Sequence, residues 1–385
     1  MNITMNRAEL LCAVRRAAAV APSKSPLEVL KGVLLEVDAA HKALVLTATN
    51  LEVTLKQKMN CDAPESDALA IDASLLAGML EKLSGDTVEL RREAGDSQLT
   101  VQSGDAVYHV SVWERNSYPK ADIPAVKNGF RASGIPFMAK RTVFATGEDE
   151  AKPMLKCVHM RFTQDGLRAA GSDGNCVVTA KGDNKCTGDL SVLIPASSLG
   201  QLARMCGDKD EFRVGSDRKK IVFARENFIF CARLIEGDYI DTDYLTGSLK
   251  NQFTVLTDIA ELSRGLDSAV CVDPEGKVQL TFDGMTLTFR CASAYGCGTD
   301  TIGVVPLTGT PQGEYWYLTK RLMTCLRALS GTATLGIAQG GMLTLSTEDA
   351  FYMQSGVRPG EIQAVKPVQK KAAKKTAKPS AKKAA

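Results

Sequence analysis

Two carboxylate clusters are the groups in this chain best placed to do chemistry. Glu148, Asp149 and Glu150 are consecutive, and Glu236, Asp238, Asp241 and Asp243 share one short stretch. Oxygen ligands of this kind suit a hard divalent cation, and paired carboxylates also serve hydrolases. Both clusters fall in segments that read as loops, where acidic residues ordinarily serve solvation. The eleven cysteines are scattered and form no C-x-x-C pair of the zinc or redox type. The N-terminal stretch has no uninterrupted apolar run to read as a signal peptide. The thiols therefore read as reduced and the location as cytoplasmic. His41, His109 and His159 lie far apart. No nucleophile elbow, H-E-x-x-H or phosphate-loop pattern occurs, and Tyr295-Gly296-Cys297-Gly298 lacks the spacing of a dinucleotide loop. The sequence predicts no catalytic residue, no metal and no cofactor. A carboxylate-based hydrolase is the least favoured of three readings.

The elements that carry these residues repeat. In LKCVHMRFTQDGLRAAGSDGNCVVTAKG (155–182), Cys157, His159 and Arg161 alternate with Val158, Met160 and Phe162, the period of a half-buried strand. Asp165-Gly166 turns the chain into a return strand, Ser172-Asp173-Gly174 turns it again, and Val177 to Lys181 begins a third strand. Related meanders occupy 32–55 and 270–289. Helices are expected at 7–20 and 73–83, near 136–146 and 197–206, and near 258–265 and 318–329. Asp72, Pro195 and Leu318 each precede a helix at intervals of 123 residues, and Asp105, Asn227 and Asp349 open last strands at intervals of 122. So long a period marks domain duplication, not a solenoid. The predicted fold class is α+β, with three repeated domains of antiparallel sheet plus two helices, over 1–122, 123–248 and 249–360. Residues 114–129 and 236–251 read as linkers, and about 295–312 as an irregular insert.

Charge separates the body from the tail. Residues 361–385 hold eight lysines and one acid, leaving 39 basic and 43 acidic residues over 1–360, a net of −4. The Lys/Ala-rich tail reads as disordered on its own, either a DNA-binding appendage or a solubilising one. Each predicted helix carries a cation: Arg7, Arg15 and Arg16; Lys82; Lys140 and Arg141; Arg204; Arg264; Lys320, Arg321 and Arg327. Lys24 sits in the loop after the first helix. Six helices side by side would make one basic surface on an acidic body; ordinary solvated helix faces are the alternative. Aromatic content of 6% is too sparse for base stacking to dominate.

Thr47-Ala-Thr-Asn-Leu-Glu-Val53, the Ser172-Asp173-Gly174 turn, Glu236-Gly-Asp-Tyr-Ile-Asp241 and the number of units together resemble the bacterial DNA polymerase III beta subunit, the beta sliding clamp, over about 1–358. The resemblance implies a sliding-clamp fold, a head-to-tail homodimer closed as a ring, and a noncatalytic processivity role in DNA replication. Double-stranded DNA would pass through the ring, touching Lys24 and the helix cations without base readout. It also implies a pocket for a short peptide of the replicative polymerase and clamp loader. One half would be Leu155, Ser172, Gly174, Asn175, Cys176, Val177, Ile240 and Leu245; the other, Met353, Gln354, Ser355, Gly356, Val357 and Arg358. Asn175-Cys176 replaces the family's His-Arg, and Ser355-Gly356-Val357-Arg358-Pro359 replaces its Met-Pro-Met-Arg-Leu, so a different peptide motif is expected. The runner-up reading is a monomeric clamp-derived adaptor or DNA-binding protein relying on its basic tail.

Overall fold

Helices form along apolar stripes, and Asn6, Asp72, Asp241 and Asp258 cap four of them. The computed structural model describes residues 1–93, 95–125, 129–182 and 186–359; the tail expectation lies outside them. In α1 (Arg7–Val20), Leu10, Ala13, Val14, Ala17 and Val20 are buried, and the Asn6 side chain accepts the Glu9 amide at 3.0 Å. Asp72 caps α2 (Ala73–Lys82) through the Leu75 amide at 2.8 Å. α3 (Ile135–Thr142) and α4 (Ala196–Met205) belong to the second unit. α5 (Thr242–Gly247) follows it, and α6 (Ile259–Val270) and α7 (Thr319–Ala328) belong to the third. Each unit runs strand, helix, a meander of strands, helix, and three closing strands.

The sheets cross the unit boundaries. One nine-stranded antiparallel sheet joins units one and two where Val53–Asn60 pairs with Phe228–Arg233. A second joins units two and three where Cys176–Gly182 pairs with Ala350–Gln354. The registers are equivalent: Val53 faces Ala232, and Cys176, 123 residues on, faces Gln354, 122 residues on. Two four-stranded sheets close the ends. Among the described residues Ala106–Ser111, at one edge of the first, and Gly296–Gly303, at one edge of the second, each have one partner strand and one open edge.

Several local expectations change. The stretch 236–251 contains α5, which Asp241 caps by accepting the Tyr244 amide at 2.9 Å. The expected irregular insert is ordered as strands Gly296–Gly303 and Val305–Thr308 and the start of Gln312–Leu318. α6 continues to Val270 because Leu266, Ala269 and Val270 extend its buried stripe. No described helix is long and apolar enough to cross a membrane.

Candidate functional site

The junction of units two and three is built on a tight turn. Asp173 accepts the amides of Asn175 and Cys176, both at 2.8 Å, and Gly174 takes φ +87°, a conformation that favours glycine. Ser172, wholly buried, donates to the Cys176 carbonyl at 2.8 Å and accepts the Gly174 amide at 3.1 Å. Burial pushes the Asp173 carboxyl up, but the two amides and the Arg321 guanidinium at 2.6 Å outweigh it and hold it below its usual range.

The alternation of strand side chains sorts the expected peptide pocket into two faces. Val177 lies opposite both Ser172 and Met353, on one side of the sheet. Leu155 belongs with them: a Cβ on Gly174 would meet its Cδ1 at 3.7 Å. The Ser355 amide donates to the Asn175 carbonyl at 2.9 Å, and Ile240 and Leu245 are half-buried in the segment that includes α5. Cys176 and Gln354 point the other way. The Cys176 thiol donates to Ala145 at 3.7 Å, and the Gln354 amide reaches the Leu318 carbonyl at 3.4 Å. Gly356, Val357 and Arg358 leave the junction along the third unit, where the Val357 amide bonds Trp316 at 2.7 Å and the Arg358 carbonyl accepts Lys277.

Further along the outer face is a 490 Å³ cavity that includes none of the expected pocket residues. It continues their rows: Ala170 for Ser172, Thr179 for Val177, Phe351 for Met353. Thr242, Asp243 and Thr246 of α5 wall it, and Arg161 pairs with Asp243 at 2.7 Å. Sequence reasoning missed this wall because a six-residue helix has no periodicity to detect. The Asp241 cap was its one legible signal. Burial, then Arg161, lowers the His159 pKa, so its imidazole is neutral at pH 7.

The expected basic surface is largely neutralised by the protein's own groups. Arg15 pairs with Glu81, Lys140 with Asp208, Arg264 with Glu261 and Asp300, Lys320 with Glu275, and Arg327 with Asp267. Arg7 donates to the carbonyls of Gly85 and Leu80, and Arg16 to Gln57. Arg141 and Arg321 are fastened between units, to Asp349 at 2.9 Å and to Asp173. Arg141 also donates to the Ala328 carbonyl. Lys24, Lys82 and Arg204 are exposed and make no ion pair among the described residues.

The acidic clusters also have partners. Glu150 pairs with Lys156, Asp149 accepts the Ala151 amide, and Asp241 caps α5. Among the described residues no group of three or more His, Cys, Asp or Glu side chains is arranged to hold a metal ion. Burial raises the pKa of the interior thiols, Cys157 to about 11 and Cys176 to about 12, so they stay protonated and unreactive.

Two equivalent seams join the three units edge to edge. The family model for the N-terminal domain of the DNA polymerase III beta subunit matches residues 1–122, and that for its central domain matches 136–241. The chain belongs to the beta sliding clamp family. It is 26% identical over 250 residues to the beta sliding clamp of Chlamydia pneumoniae, covering 63% of this chain and 66% of that protein. With the beta sliding clamp of Bacillus subtilis it shares 22% over 294 residues, covering 72% and 76%. The sequence match thus spans just under two thirds of the first relative. The solved Bacillus subtilis clamp superposes with a TM-score of 0.82 at 17% identity, covering 94% of this chain and all of that one. The Pseudomonas aeruginosa beta subunit gives 0.80 at 20%, covering 93% and 100%. These structures carry the three-unit α+β clamp fold.

Proposed function

We propose that this chain is a noncatalytic DNA sliding clamp, a processivity factor that encircles double-stranded DNA and tethers the replicative polymerase. One observation carries the reading. Two equivalent seams join the three units, and the strands that would make a third, Ala106–Ser111 and Gly296–Gly303, lie at opposite ends with open edges. Strand Ala106–Ser111 closes unit one as Phe228–Arg233 and Ala350–Gln354 close units two and three. Strand Gly296–Gly303 holds the place of Val53–Asn60 and Cys176–Gly182. Two copies joined head to tail would pair these edges twice and form a closed homodimer of six units. A monomer would leave both edges open, a ready template for association.

The domain division 1–122, 123–248 and 249–360 follows the repeat. Lys24, Lys82 and Arg204 supply unpaired charge toward phosphate, and the exposed helix pairs can exchange partners at small cost. Binding to DNA is then weak and independent of sequence, as sliding requires, with retention supplied by closure. The polymerase and the clamp loader are proposed to dock short peptides in the cleft of Leu155, Val177, Ile240, Leu245 and Met353. The site of action is the cytoplasm, where the DNA lies. Light scattering tests closure: the mass should be twice 41.3 kDa. The loaded protein should stay on circular DNA and leave it when the circle is cut. A persistent monomer, or equal loss from circular and linear DNA, would sink the reading.

A further inference from the structure

Three cations stand side by side on the outer face of the second unit. Arg161 lies opposite Arg168, and Arg168 opposite Lys181, across three neighbouring strands. All three border the 490 Å³ cavity. Like charges directly opposite on a sheet destabilise it, so this row calls for a countercharge, and the chain supplies only part of one. Asp243 is taken by Arg161 at 2.7 Å. Asp349, the other carboxylate at the cavity, is held by Arg141 at 2.9 Å and by the Thr347 hydroxyl at 2.8 Å. Among the described residues no carboxylate pairs with Arg168 or Lys181. The same rung beside the first seam reads Glu36, Val45, Lys58, one charge of each sign.

We propose that Arg168 and Lys181 bind an acidic side chain of an extended partner peptide whose apolar residues sit over Val177 and Met353. This rests on the cleft reading above and adds a charge requirement to it. Arg168 is four residues from Ser172 along one strand, and Lys181 four from Val177 along the next. That is about 13 Å at roughly 3.3 Å per residue, so an extended ligand places its acid about four positions from the apolar anchor. The chain's own tail, with eight lysines and one acid, has the wrong charge. Duplex DNA is disfavoured because the row lies on the face opposite the one that Cys176 and Val178 share with the helix-side core.

Two synthetic peptides of about ten residues provide the test. They share one Leu-Phe pair; one carries two glutamates centred four residues away, the other two glutamines. By fluorescence anisotropy against the full chain at low salt, the acidic peptide should bind roughly five-fold more tightly. The preference should vanish in Arg168→Gln/Lys181→Gln and fade as salt is raised. Equal affinities, an undiminished preference in the double variant, or no binding of the acidic peptide up to about 1 mM would overturn the proposal. So would a double variant that loses duplex affinity while keeping the peptide preference. Met353→Ala tests the cleft separately. If it leaves both peptides unaffected while the charge variant removes the preference, the cleft reading fails and the cation row stands.

Discussion

At the first seam Asn50 accepts the amides of Glu52 at 3.0 Å and Val53 at 2.7 Å, and Leu51 is forced to φ +75°. At the second, Asp173 and Gly174 hold the same positions. Each junction also tucks in a tyrosine from the chain that follows. Tyr118 donates to the Gly32 carbonyl and accepts the Thr49 amide, both at 3.1 Å; Tyr239 donates to the Cys157 carbonyl at 3.4 Å and accepts from the Ser172 backbone. The backbone plan is shared; the fastening is not. The second seam has two ion pairs between units, Asp173–Arg321 and Arg141–Asp349, where the first has one, Asp122–Lys220 at 2.7 Å, and a neutral amide at its turn. Duplication preserved the ladder because every backbone group in it needs a partner. Side chains at the turn were free to diverge as long as two amides stayed capped.

The contrast is sharpest at the turn residue. Asp173→Ala removes both caps and leaves Arg321 without its carboxylate, a loss of about 3 kcal/mol. Asn50→Ala removes caps alone and should cost about 1 kcal/mol. Equal losses in denaturant titrations would erase the distinction. The same pair separates by pH. The Asp173 pKa is depressed on folding, so its contribution is full above the ordinary carboxylate range and disappears as pH falls through its folded value. Amide protection at Val177 should therefore drop in acid more than at Leu55. Tyr118→Phe, which strands a buried amide, should cost about 1.5 kcal/mol, and Tyr239→Phe, whose carbonyl bond is longer at 3.4 Å, about 1 kcal/mol. Gly174→Ala should cost about 1 kcal/mol because its φ is positive, while Leu51→Gly should be near neutral, relieved strain offsetting added chain entropy. Removing the exposed Arg15–Glu81 pair should leave the melting temperature unchanged.

The repeat was legible because offsets between caps and last strands survive divergence, and the alternation through Cys157 to Phe162 placed that strand and its faces correctly. What was not legible is long-range. The helix cations could be counted, but the separation of 148 positions hides that Arg321 is paired with Asp173 of the neighbouring unit. Cys176 and Gln354 entered the expected pocket by position, yet the period of two turns them to the face opposite Val177 and Met353. The same rule, applied to the sequence, would have separated them. Gly296–Gly303 looked irregular because five of its residues are Gly, Cys or Asp, poor strand formers individually, and its pairing to Thr286–Ser293 supplies the order.

The two seams share one further property: a covalent crossing. Residues 113–125 tie unit one to unit two beside the first, and 236–250 tie unit two to unit three beside the second. A tether keeps its partners at an effective concentration in the millimolar range whatever the bulk dilution. The proposed third seam has none, so its occupancy alone follows mass action. In a six-unit ring, four joints would be insensitive to dilution and two would not. The place where such a ring parts is thus fixed by where the chain is continuous, before any difference in contact strength is considered.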